Sequence, residues 1–127
     1  MTYPFVAGDV LTAADMNFLP QYTLNAQTGT TYTAATNDQY SRLVTQSNAS
    51  ASTFRIPTNA TTAFPIGTVL NIINIGAGIC TINAVTSGTT TILSAGAVPA
   101  APTLAQYKAA SCIKTGTDQW FVIGGVA

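Results

Sequence analysis

The chain has 127 residues and a mass of 13.1 kDa, enough for one domain with one core and a short appendage. Only 6% of it is charged, against roughly 25% in an average soluble protein, and its four basic and four acidic side chains cancel. Four scattered basic residues leave no positive stripe for nucleic acid, and no apolar stretch approaches the ~18 to 20 residues that would span a bilayer.

Residues 1–20 carry the one helix signal. Thr12 and Asp15 are spaced as a capping box, Leu11 and Met16 as a hydrophobic staple, and Pro20 stops the helix after about two turns. So short a helix does not repay its own nucleation in water and needs a surface to dock on. Phe5, Val6, Val10, Leu11, Met16, Phe18 and Leu19, with Tyr3, supply the apolar side chains for that docking and are the candidate attachment residues. The start MTYPFVAGDVL has no basic segment ahead of an apolar one, so it does not read as a signal peptide. Residues 1–20 are therefore an arm, and 21–127 a separate β-domain.

From Pro20 onward the pattern is of strands. The β-branched runs are Tyr22–Leu24, Thr30–Thr33, Arg42–Gln46, Thr53–Ile56, Val69–Ile75, Ile79–Asn83, Thr90–Leu93, Ala105–Lys114 and Trp120–Ile123. In Ala105–Lys114 the side chains alternate, with Tyr107, Ala109, Ser111 and Ile113 on one face, as expected of a strand with one side buried. Val69–Ile75 is apolar on both faces apart from its asparagines, which places it centrally or under a neighbouring subunit. Gly76-Ala77-Gly78 is expected to turn a hairpin into Ile79–Asn83, and Thr115–Asp118 to turn another between the last two strands. Ala95–Pro102, with two prolines, is a loop. Short strands at regular spacing predict an all-β fold, an antiparallel β-sandwich or a jelly-roll-like barrel with the helical arm in front. No long internal repeat is visible.

Catalytic chemistry finds little support. There is no His to act as base in a hydrolase triad, no Glu, and no spacing that pairs two of the four aspartates. Two cysteines, Cys80 and Cys112, fall short of a zinc site, and both read as buried free thiols. No cofactor, metal or catalytic residue is expected, and the chain does not read as an enzyme. Trp120, with Asp118 and Gln119 beside it, has the composition of a sugar platform, as has Tyr107. Its place among the large apolar side chains of the last strand favours a core anchor.

The segment PFVAGDVLTAADMNFLP is similar to the N-terminal segment of many tailed-bacteriophage virion proteins. The match lies in Phe5, Ala7, Gly8, Leu11, Thr12, Ala13, Ala14 and Asn17, the pattern F-x-A-G-x-x-L-T-A-A-x-x-N. Further on, Leu43–Thr45, Asn48, Ile56-Pro57, Phe64–Thr68, Gly76 and Trp120 resemble a β-domain that recurs in phage tail-fibre and surface proteins. The resemblance implies a non-enzymatic particle protein, assembled in the bacterial cytoplasm, that works as a homotrimer and contacts the major capsid protein or another virion protein. The chain has no shaft between arm and β-domain, which favours a capsid decoration protein over a long fibre. A tail component such as a short fibre, baseplate protein or adhesin is the second expectation, and a carbohydrate-binding module the third.

Overall fold

The computed structural model describes Ala7, Gly8, residues 22–40 and residues 42–127. The arm residues Phe5, Val6, Val10, Leu11, Met16, Phe18 and Leu19, and the helix expected among them, lie outside the described residues. Among the described residues ten strands make two sheets: β1 (Thr23–Gln27), β2 (Thr31–Thr33), β3 (Arg42–Gln46), β4 (Ser52–Ile56), β5 (Val69–Asn74), β6 (Cys80–Ala84), β7 (Thr91–Ser94), β8 (Thr103–Leu104), β9 (Ala109–Gly116) and β10 (Gln119–Gly124). One sheet has six strands in the order β1-β3-β5-β9-β10-β7, the other four in the order β2-β4-β6-β8.

The fold is strand-rich as expected, but its sheets are mixed rather than antiparallel. β1, β3 and β5 pair in parallel, and so do β2, β4 and β6. β7 is parallel to β10. Among the described residues antiparallel pairing is confined to β5–β9, β9–β10 and β6–β8. The cause is that the chain crosses to the opposite sheet after each of the first five strands. A parallel neighbour needs a long crossover, and here the strand of the other sheet is that crossover. The chain therefore winds, laying each of β3 to β6 beside the strand two earlier. Register partners Leu43 and Asn71, and likewise Ser52 and Cys80, are 28 residues apart in the chain.

Gly76-Ala77-Gly78 consequently does not close a hairpin. It turns the corner from one sheet to the other and lies flat on the previous corner. A Cβ on Gly76 would run into the backbone of Asn48, and one on Gly78 into that of Ser50. Gly78 N donates to Asn48 O at 3.0 Å. Buried side-chain amides hold these corners. Gln27, Gln46 and Asn74 are in register on adjacent parallel strands, and the last two are fully buried. Asn74 Nδ2 donates to the carbonyls of Gly78 and Leu104, both at 2.8 Å, and its Oδ1 accepts from Gly76 N. Asn48 Nδ2 reaches Thr28 O at 2.8 Å, and Gln46 Nε2 reaches Gly29 O. Corner carbonyls that the winding would leave unpaired are thus satisfied by the next turn of chain.

The core fills the space between the sheets with Val44, Phe54, Ile56, Leu70, Ile72, Cys80, Ile82, Ile92, Leu104, Cys112, Trp120 and Val122. At the β1–β2 end it gives way to a polar cluster around Asp38, which is almost wholly buried. Its carboxylate accepts from Asn25 Nδ2 at 2.9 Å, Tyr32 OH at 2.6 Å and Ala35 N at 2.8 Å. Burial first, and then this bond to Asp38, pushes the Tyr32 phenol from its ordinary 10 up to about 12.

Both cysteines are free and buried, as expected. Burial raises the Cys80 thiol, and raises Cys112 to about 12, with the nearby Cys80 as the smaller cause. In an unfolded chain a thiol titrates near ~8.5 and a tyrosine near ~10. Above those values the unfolded state binds fewer protons than the folded one, so stability falls as pH rises. The loss should be steepest between about pH 9 and 12, at up to about 1.4 kcal/mol per pH unit for a fully buried thiol and less for the partly exposed Tyr32, whose phenol is screened by water. Chemical unfolding measured from pH 7 to 11 should show the midpoint dropping over that window, with the buried Lys114, whose pKa is lowered, offsetting part of the loss. Ellman's reagent at pH 8 should leave both thiols untouched until denaturant is added, and rapid labelling of the native chain would contradict their burial.

Candidate functional site

Alternation along each strand gives both sheets an inner and an outer face, and the two outer faces differ in chemistry. On the four-stranded sheet, Thr31, Thr53, Thr81 and Thr103 stand side by side in register, with Thr33, Arg55 and Asn83 in the next row. These two rows are polar and suit water, with Ile79 and Val85 exposed just beyond the two ends of β6. On the six-stranded sheet one row is Leu24, Leu43, Asn71, Ser111 and Ile123, and a second is Val69, Ile113, Phe121 and Leu93. A third holds Ala26, Thr45, Ile73 and Ala109. Leu24 is 63% exposed, Ile123 56%, Val69 41%, Phe121 40% and Leu93 37%. The central polar pair in the first row satisfies itself, Ser111 Oγ donating to Asn71 Oδ1 at 2.7 Å.

Among the described residues, no charged side chain belongs to these three rows. Arg55 is on the other sheet, and Lys108 is exposed in the turn just ahead of β9, beside Gly125 just past the end of β10. Asp38 and Lys114 are buried, and Asp118 lies in the turn between β9 and β10, where it accepts from Asn59 N at 2.8 Å. Arg42 Nε is 3.9 Å from Asp38 Oδ1, inside the polar cluster. Tyr22, just ahead of β1, sits where two shallow clefts meet. One, of about 400 Å³, lies over Leu43, Ile73, Ala109 and Ile123. The other, of about 460 Å³, runs past Arg42, Ile66 and Val69.

Trp120 is not at this surface. It is 1% exposed, its ring edge-on to Phe64 at 5.6 Å between centroids. Phe64 is held there by a buried lysine: Lys114 Nζ donates to Phe64 O and to Asn59 Oδ1, each at 2.6 Å. Burial lowers the Lys114 pKa, and Asp118 opposes that. The lysine and the indole together tie the loop 57–68 to β9 and β10. Tyr107, the other aromatic weighed as a sugar platform, is 75% exposed in the turn ahead of β9, at φ 65°.

No group of three or more His, Cys, Asp or Glu side chains among the described residues could hold a metal ion, and no helix there is long and apolar enough to cross a membrane. Comparison of the chain with protein-family models, with curated proteins and with solved structures found no match.

The apolar outer face was only partly legible. Val69–Ile75 drew attention because both its sides are apolar, but a single strand does not show that its neighbours in space share the property. Leu24, Leu93 and Phe121 come from strands remote in sequence, and only the pairing order brings them together.

Proposed function

We propose that this chain is a non-enzymatic structural protein of a tailed-phage particle, a trimeric decoration protein that stabilises the head. The observation that carries the assembly part of this reading is the contrast between the two outer faces, one threonine-covered and the other apolar and uncharged. The head assignment rests on the resemblance of the arm and β-domain to virion proteins and on the want of a shaft. In this role the protein works mechanically, burying apolar surface across joints of the shell so that it resists internal pressure. At roughly 25 cal/mol per Å², a few hundred Å² per subunit supplies several kcal/mol before association costs.

A tail component is the second reading. The winding of β1 to β6, which stacks each strand on the one two earlier, suits an elongated appendage built along one axis. A carbohydrate-binding module is the third, and it loses Trp120 as a stacking platform because the indole is buried.

Particles made without this protein distinguish the first two. In the decoration reading their heads rupture at lower temperature, and adding the purified protein restores the heat resistance. Heads of unchanged heat resistance that fail to adsorb to cells would move the protein to the tail. Particles unchanged in both respects would overturn the proposal.

A further inference from the structure

We infer that the outer face of the six-stranded sheet is the surface through which copies of this chain bind one another. The inference deepens the assembly reading above and rests on it. A sheet that met only water on this side would carry polar residues at the outward positions, as the four-stranded sheet does with its threonine row. Here the outward positions of five neighbouring strands hold Leu24, Leu43, Val69, Ile73, Ile113, Phe121 and their like.

Two features point to a second copy as the occupant. The first is electrostatic. A partner of opposite charge would gain nothing from rows with no charged side chain, whereas an identical neutral face meets it without desolvating an ion. The second is area. Six strands ~4.8 Å apart and about five residues long at ~3.3 Å each make a face of roughly 30 by 17 Å, about 500 Å². Two such faces together remove about 1,000 Å² from water, the lower limit for a specific interface. About a threefold axis each face is shared between both neighbours, so three faces together bury about 1,500 Å², about 500 Å² at each contact, and the closed ring rather than any single pair is the stable species.

The test is the mass of the full chain in solution at ~10 µM by sedimentation, for the wild type and for lysine variants. Phe121→Lys and Ile123→Lys place an ammonium where the inference puts a dry contact, so each should raise the dissociation constant at least ~100-fold and leave the 13.1 kDa species. Trp120 emission and the far-ultraviolet dichroism report whether the variants remain folded. Leu24→Lys, on an edge strand and more exposed, repeats the test if the central variants do not fold. Thr53→Lys, on the threonine row, should leave the oligomer intact. If the face variants stay oligomeric while Thr53→Lys dissociates, copies meet through the other sheet: the inference fails and the assembly reading stands. A monomeric wild type, as when residues 1–21 cover the face within their own chain, overturns the inference. The particle reading is then judged separately, by whether the protein is found in virions.

Discussion

Trp120→Ala should lower stability by about 3 to 5 kcal/mol, the cost of emptying a buried aromatic site. The indole is 1% exposed and is packed edge-on by Phe64, with Ile92 and Lys114 as its register partners on either side. Removing it opens a cavity between β10 and the loop 57–68. It also takes away the ring against which Phe64, whose carbonyl accepts from Lys114, is held. A domain of this size has about 5 to 15 kcal/mol in total, so the melting temperature should fall by roughly 10 to 25 °C. Wild-type emission should be blue-shifted and resistant to a soluble quencher. A variant that melts like the wild type, with red-shifted and readily quenched parent fluorescence, would place the indole at the surface and return it to consideration as a sugar platform.

Gly78→Ala should be nearly as costly, for a backbone reason. An added Cβ meets the Ser50 carbonyl and the Ala51 amide, and neither can swing away as a flexible side chain could. Overpacking a well-packed site costs typically ~1 to 3 kcal/mol. Here the obstacle is the adjacent corner, itself fixed by Asn48 and Ser50, so about 3 kcal/mol or more is expected. Gly76→Ala should behave alike, because its Cβ meets the Asn48 backbone. Gly29→Ala is the control: its Cβ has only Thr31 O within reach, at 3.9 Å, and the change should stay within about 0.5 kcal/mol. Urea midpoints for the three variants decide the matter. Equal midpoints would show that the corners do not stack.

These two sites also show how far the sequence can be read. The strand positions follow from β-branched runs broken by glycine, asparagine and proline, and the structure differs from them mostly at the ends. The short β8 falls between the loop Ala95–Pro102 and the run Ala105–Lys114 and belongs to neither, because two residues carry no period. Ala105–Lys114 loses its first four residues to a turn in which Tyr107 has a positive φ.

What local pattern could not supply was connectivity. Gly76-Ala77-Gly78 has the composition of a hairpin turn, and a hairpin and a corner between sheets ask for the same residues. The difference lies in what stacks on the glycines, which is Asn48 and Ser50 from the previous turn of chain. The winding left no visible repeat because its turns are unequal. Thr23 pairs with Arg42 across 19 residues, Thr31 with Thr53 across 22, and Leu43 with Asn71 across 28. The loop 57–68 accounts for much of the excess.

The buried polar groups were the least legible. Asp38, Lys114, Gln46 and Asn74 look like surface residues in the sequence. Each is nevertheless enclosed by segments distant in sequence, which supply hydrogen-bond partners to Asp38, Lys114 and Asn74 and an acceptor, Gly29 O, to the Gln46 amide nitrogen. With so few charges in the chain, burying Asp38 and Lys114 leaves the outer surface sparser still in charge, which supports the inference that the apolar face is a contact surface.

The central claim is that the chain is a built-in component of a virus particle, and counting it there tests this most directly. Purified particles should be digested and the protein quantified against the major capsid protein by mass spectrometry with isotope-labelled standards. The account predicts hundreds of copies per particle, in a number divisible by three, as expected of trimers spread over the head. A dozen or so copies would assign it to the tail. Its absence from purified particles that are otherwise complete would contradict the account.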